Sequence, residues 1–145
     1  MKYTVSIDIN HPIDRVIELF DNEENMFDWM EGLESFERLS GEPGEPGAKS
    51  KLKFKTKKRE IEMVETIEEK NLPLSYKMTY EAKGVLNRIN NRFESIDKNT
   101  TRYSTDQEFE FKGALKLMAF LMPGAFKKQS KKYLNDFKQF AESQN

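Results

Sequence analysis

At 145 residues, with 34% of them charged, a formal net charge of -1 and a mean hydropathy of -0.81, the chain has the size and polarity of one ordinary domain spanning residues 1–145. It contains no cysteine, which excludes disulfides and thiolate metal sites. Its longest apolar run, Ala114 to Ala125, is broken by Lys116 and Pro123 and is too short to span roughly 30 Å of hydrocarbon, so no integral membrane association is expected.

Tyr3, Val5, Ile7 and Ile9 alternate with Lys2, Thr4, Ser6, Asp8 and Asn10, which predicts a first strand with one buried face. The polar opening Met1-Lys2-Tyr3-Thr4 does not resemble a signal peptide, and with the missing cysteines it sets the expectation of a cytoplasmic protein. Asn10-His11-Pro12 ends the strand. Proline suits a first helical turn, and Ile13, Val16, Ile17 and Phe20 follow at i, i+3, i+4 and i+7, with Asp14 near the positive end of the dipole. Met26, Phe27, Trp29, Met30 and Leu33 predict a second short helix over Glu23–Leu33, which Gly32 helps to end.

Gly41-Glu42-Pro43-Gly44-Glu45-Pro46-Gly47 is turn chemistry throughout and predicts a surface loop. Beyond it the period becomes two. Leu52, Phe54 and Thr56 form one run and Ile61, Met63, Glu65 and Ile67 the next. After Asn71-Leu72-Pro73 come Leu74, Tyr76, Met78 and Tyr80, then Val85, Asn87, Ile89, Asn91 and Phe93. Asp97-Lys98-Asn99 turns the chain into Tyr103, Thr105, Gln107, Phe109 and Phe111. The spacing fits an antiparallel meander of about six strands after the helices. One long helix is predicted from Gly113 to Ala141, because Leu115, Met118, Met122, Phe126, Tyr133, Phe137 and Phe140 fall within about 60° of one line at 100° per residue. Strand, two helices, strands and a final helix make an α+β domain.

Charge is unevenly placed. Residues 1–48 hold twelve carboxylates against Lys2, Arg15 and Arg38, whereas Lys49–Arg59 carries seven basic residues. Lys51, Lys53, Lys55 and Lys57 alternate with Leu52, Phe54 and Thr56 and read as the solvated face or edge of a strand. No aromatic residue shares that face to stack a base, so no nucleic acid is expected as a partner. His11 is the only histidine and its position suits a cap or a surface role. Nothing has the spacing of a triad, a zinc site or a phosphate-cradling loop, so no catalytic set, metal or cofactor is assigned. Paired carboxylates Glu23-Glu24 and Glu68-Glu69 read as solvated groups at helix starts and turns.

What remains is a set of polar residues on strand faces that otherwise point inward: Glu65, Asn87, Asn91, Thr105 and Gln107. A buried polar group left unpaired costs on the order of 1–3 kcal/mol, so this set implies internal networks, trapped water, a ligand, or an open end of the sheet. In the final helix Leu117, Phe120 and Leu121 lie opposite the main stripe, leaving its first half apolar nearly all round, while Pro123-Gly124 permits a kink. Met118 and Met122 suit either gap-filling in a core or a cavity wall.

Four segments carry a resemblance: Val5-Ser6-Ile7-Asp8-Ile9-Asn10-His11-Pro12-Ile13-Asp14-Arg15-Val16, Asp28-Trp29-Met30-Glu31-Gly32-Leu33, Arg92-Phe93-Glu94, and Phe109-Glu110-Phe111-Lys112-Gly113 before the last helix. With them the chain resembles the START-like polyketide cyclase/dehydrase (SRPBCC) superfamily over nearly its whole length. The resemblance implies a helix-grip fold, a curved antiparallel sheet of about six or seven strands around a long C-terminal helix with an apolar cavity between them. It implies a small hydrophobic molecule as partner (a lipid, polyketide, isoprenoid or similar) and no residue of a known catalytic set.

The leading expectation is a binding module, a monomer or weak homodimer. Its walls are Trp29, Phe54, Met63, Tyr76, Met78, Ile89, Phe93, Phe109, Met118, Met122 and Phe126, and its orienting groups Asn87, Asn91, Thr105 and Gln107, with Glu65. A cyclase or dehydratase using Glu65 or Tyr76 as acid or base is the enzyme alternative. A third class is a protein that offers Leu117, Phe120 and Leu121 to a partner or a membrane.

Overall fold

The alternation at the start of the chain becomes strand β1 (Lys2–Ile9) in the computed structural model, which describes residues 1–145. Helix α1 (Ile13–Phe20) follows with Val16 and Leu19 buried, Pro12 at its N-cap and Asp14 in its first turn. His11 does not cap α1 through its side chain; its Nε2 lies 3.0 Å from the Gln144 carbonyl oxygen and ties the start of α1 to the C-terminus.

The second predicted helix is shorter than its periodicity suggests. A 3₁₀ turn at Glu23–Asn25 leads into α2 (Met26–Trp29), after which Met30 is extended and Gly32 takes a φ of +82°. Leu33 therefore opens strand β2 (Leu33–Ser40), which the period-two reading does not detect. The reason lies in the strand itself. Register shifts at Leu33/Ser35 and Arg38/Ser40 break its alternation twice within eight residues.

Strands β3 (Lys49–Lys55), β4 (Glu60–Asn71), β5 (Ser75–Ala82), β6 (Val85–Asp97) and β7 (Thr100–Phe111) complete one antiparallel seven-stranded sheet in the order β1-β7-β6-β5-β4-β3-β2. The lysine-bearing strand is interior rather than an edge, and its outer face is met by β4 glutamates, with Lys51 at 3.6 Å from Glu62 and Lys55 at 3.8 Å from Glu60. Glu68-Glu69 belong to β4 as exposed strand residues beside a bulge, not to a helix start or turn. The loop Gly41–Gly47 joins β2 to β3 as its composition requires.

The long final helix is two helices. α3 (Ala114–Leu121) ends where Met122 leaves the helical region at φ -132°, ψ 62°, and α4 (Pro123–Ser143) restarts with proline in its first turn. Proline cannot donate the bond that would continue α3, and its fixed φ suits a fresh start. The core gathers around the second half of α4. Leu134, Phe137 and Ala141 pack with Val5, Ile9, Val16, Leu19, Trp29, Phe93 and Tyr103. Met78, Tyr76, Ile67 and Ala48 form a second cluster, and Met26, Leu52 and Phe54 a third. The first half of α4, from Phe126 to Tyr133, faces a space the sheet does not fill.

Candidate functional site

Strand register builds this space. Because pairing aligns one inward residue per strand, Glu65, Tyr80, Asn87 and Phe109 lie in one row across β4 to β7. Ile67, Met78, Ile89 and Gln107 form the next row, and Tyr76, Asn91 and Thr105 a third. Phe126, Gln129, Ser130, Tyr133 and Leu134 of α4 close the opposite side, while Phe20, Met26, Trp29 and Met30 close one end. The result is a cavity of about 920 Å³ whose 35 lining residues include 19 hydrophobic ones. That volume suits a ligand of drug size or somewhat larger.

Thirteen of the sixteen residues expected at the site line this cavity: Trp29, Phe54, Met63, Glu65, Tyr76, Met78, Asn87, Ile89, Asn91, Thr105, Gln107, Phe109 and Phe126. The other three are elsewhere. Phe93 is sealed in the main core, stacked on Tyr103 at 4.7 Å and edge-on to Phe20 at 5.0 Å. Met118 and Met122 fall outside because the break at Pro123 turns α3 away from the line of α4 and leaves Met122 57% exposed.

The polar lining is partly self-satisfied. Asn87 Nδ2 donates to Gln107 Oε1 at 3.0 Å, Gln107 Nε2 donates to Thr105 Oγ1 at 2.8 Å, and the Tyr103 hydroxyl donates to Asn91 Oδ1 at 2.9 Å. Several donors remain unspent. Asn91 Nδ2 meets only the Met78 sulfur at 3.9 Å, a weak acceptor, and the Thr105 hydroxyl proton goes to no protein acceptor. The indole Nε1 of Trp29, itself buried, has no partner.

Glu65 is the one carboxyl buried among these walls, at 4% exposure. The Tyr80 hydroxyl donates to its Oε2 at 2.7 Å. Burial pushes its pKa up to about 7, against the opposing pull of the Tyr80 hydrogen bond; the Glu23 charge raises it and that of Arg38 lowers it. Burial and the nearby Glu65 charge likewise push the Tyr80 and Tyr76 hydroxyls above the ordinary phenolic value. Tyr80 is the residue sequence reasoning missed. It stands in the same alternating run as Tyr76 and Met78, but only pairing of β4 with β5 sets it opposite Glu65. Tyr3 was missed as well; its hydroxyl, 2.7 Å from Ser130 Oγ and 2.9 Å from the Phe126 carbonyl, ties β1 to the cavity side of α4.

One end of the cavity is rimmed by Glu18, Asp21, Glu23 and Glu24 together with Pro43 and Gly44 of the β2–β3 loop. Lys70 spans this rim, 2.9 Å from Asp21 Oδ1 and donating to the Gly44 carbonyl at 2.9 Å, and Arg38 pairs with Glu23 at 2.8 Å. No group of three or more His, Cys, Asp or Glu side chains converges as a metal ion would require.

Comparison with known proteins places this geometry among relatives. The family model described as polyketide cyclase/dehydrase and lipid transport matches residues 1–142. No curated protein matches the chain in sequence. Among solved structures, a conserved protein from Geobacillus kaustophilus superposes with a TM-score of 0.83 at 15% identity, covering 99% of this chain and 96% of that one. The Zhui aromatase/cyclase from Streptomyces sp. R1128 gives 0.81 at 14% identity over 98% and 93%. Norcoclaurine synthase from Thalictrum flavum, solved in complex with dopamine and hydroxybenzaldehyde, gives 0.74 at 12% identity over 100% and 88%. All three share the helix-grip arrangement of sheet and C-terminal helix with this chain.

Proposed function

The chain belongs to the polyketide cyclase/dehydrase and lipid transport family, and from that premise we propose that it binds a small, largely apolar molecule bearing oxygen acceptors, such as a keto group, between its sheet and α4. The carrying observation is the pairing of apolar walls with unspent donors at Asn91 Nδ2 and Thr105 Oγ1. Desolvation of the apolar body supplies about 25 cal/mol per Å² buried, which is strong but indifferent to detail. The few donors then decide orientation, because a ligand that leaves them unpaired forfeits on the order of 1–3 kcal/mol for each.

Native mass spectrometry of the purified protein is expected to show a co-purified apolar mass that dissociates on collisional activation. Ile89→Trp, which adds a ring at the centre of the middle row, is expected to weaken binding of an apolar naphthylamine dye roughly tenfold, or ~1.4 kcal/mol, with little change in the unfolding midpoint. Dye affinity unchanged by that substitution, with no co-purified mass, ends this reading.

A second reading is favoured by Glu65 alone. A carboxyl with a pKa of about 7, hydrogen-bonded to Tyr80 inside an apolar cavity, has the properties of a general acid or base. In a cyclase or dehydratase the walls would fold a poly-keto chain and Glu65 would shuttle the proton, a mode of catalysis resting mostly on positioning. Turnover of a poly-keto substrate retained in Glu65→Gln, Tyr80→Phe and Tyr76→Phe removes this reading.

A further inference from the structure

The feature that the cavity does not explain is the outer face of α3. Leu117, Phe120 and Leu121 recur at i, i+3 and i+4 and are 61%, 81% and 66% exposed, and Met122 extends the patch at 57%. The opposite face is occupied. Leu115 lies over the β5–β6 turn, where a Cβ on Gly84 would sit 3.1 Å from its Cδ1, and Ala119 is buried. An eight-residue helix held down on one side therefore presents three large apolar side chains, contiguous and uncovered, on the other.

The stretch of chain that carries it has one sign of charge. From Lys112 to Asn135 the chain carries six lysines and no carboxylate, whereas the remainder has 18 basic groups against 25 carboxylates. Lys132 spends its charge on Glu31 and Asp136, but Lys112, Lys116, Lys127, Lys128 and Lys131 are exposed and make no ion pair. Apolar residues at a helix surface with a collar of free lysines match the two layers of a lipid interface, acyl chains below and anionic headgroups above. A second copy of the chain fits worse. A two-fold contact through this patch would set five free lysines against the same five.

We infer that α3 and the α3–α4 corner form a peripheral docking surface for an anionic lipid bilayer. Leu117, Phe120, Leu121 and Met122 enter the interface, and Lys116, Lys127, Lys128 and Lys131 meet headgroup phosphates. No helix is long and apolar enough to cross a membrane, so the contact is peripheral. Docking brings the Phe126–Gln129 end of the cavity to the bilayer, since both residues lie within two turns of the break. The inference does not depend on what occupies the cavity.

Co-sedimentation of the full chain with vesicles tests it. Vesicles of phosphatidylglycerol and phosphatidylcholine at 1:3 are expected to bind the protein at least roughly tenfold more strongly than phosphatidylcholine alone at 0.1 M salt, with the difference shrinking as salt rises. Phe120→Ser with Leu121→Ser is expected to reduce binding to the anionic vesicles roughly tenfold, and Lys127→Glu with Lys128→Glu to abolish the preference between lipids. All four positions are exposed, so unfolding midpoints should stay at the wild-type value. Absent binding, or equal binding to both vesicle types, overturns the inference. So does a patch variant that shifts the sedimentation coefficient from dimer to monomer while leaving vesicle binding intact. The ligand read by native mass spectrometry on the same preparation reports on the cavity separately.

Discussion

Phe137→Ala is expected to destabilise the protein by about 3–5 kcal/mol, lowering the thermal midpoint by roughly 10–20 °C. The side chain is completely buried, and its ring sits 5.1 Å from Trp29, 5.3 Å from Phe20 and 5.8 Å from Tyr103, all edge-on. It thus joins α4 to α2, α1 and β7 at one point. Truncation removes the transfer energy of the ring and leaves a void that those neighbours cannot close, because Phe20 and Tyr103 are themselves held by Phe93. Phe120→Ala is the matched control. It removes the same atoms from an 81% exposed site and is expected to change stability by less than about 0.5 kcal/mol. Equal effects of the two substitutions in chemical denaturation would show that the second half of α4 does not pack on this core.

Glu65→Gln is expected to make the protein progressively more stable relative to wild type as pH rises from about 4.5 to 8. The sign follows from burial. In the unfolded chain this carboxyl ionises near 4.5 and in the folded one near 7. Below both values it is neutral in either state and contributes no difference. Between them the unfolded chain releases the proton that the folded chain retains, so stability falls with pH, and above about 7 the accumulated loss stays near 3 kcal/mol. Glutamine keeps an oxygen for the Tyr80 hydroxyl and never ionises, so its own cost is constant across that range. Arg-paired Asp8 and Asp106, whose carboxyls are held below their ordinary value, titrate in both proteins and cancel in the difference. Urea unfolding of the pair at pH 4.5 and pH 8 measures it. A difference that does not move with pH would mean that water or a cation reaches Glu65, which would also remove the basis for an acid or base role.

The inward rows were legible because strands of period two in an antiparallel meander leave little freedom. Once Glu65, Asn87, Asn91, Thr105 and Gln107 share phase with Met63, Ile89 and Phe109, they must share a face. The sheet's β2 was not legible, since its two bulges erase the alternation such reasoning depends on. Nor was the direction of α3. Met118 and Met122 have the phase of a continuing helix, and phase persists on paper across a proline even where the axis turns. Phe93 illustrates a further limit: its phase correctly points it inward, but the same face carries both cavity wall and solid core.

By itself the amino-acid sequence determined which side chains of β1 and of the strands from β3 to β7 face inward, and that the final segment is apolar and lysine-backed, because these depend on neighbours within a few residues. Only the tertiary structure decided that Tyr80 meets Glu65, that the second half of α4 seals the core while the first half leaves it open, and that α3 points its apolar face outward. Those depend on strand register and on the axis of a helix after a break, quantities set by the packing of residues distant in the chain.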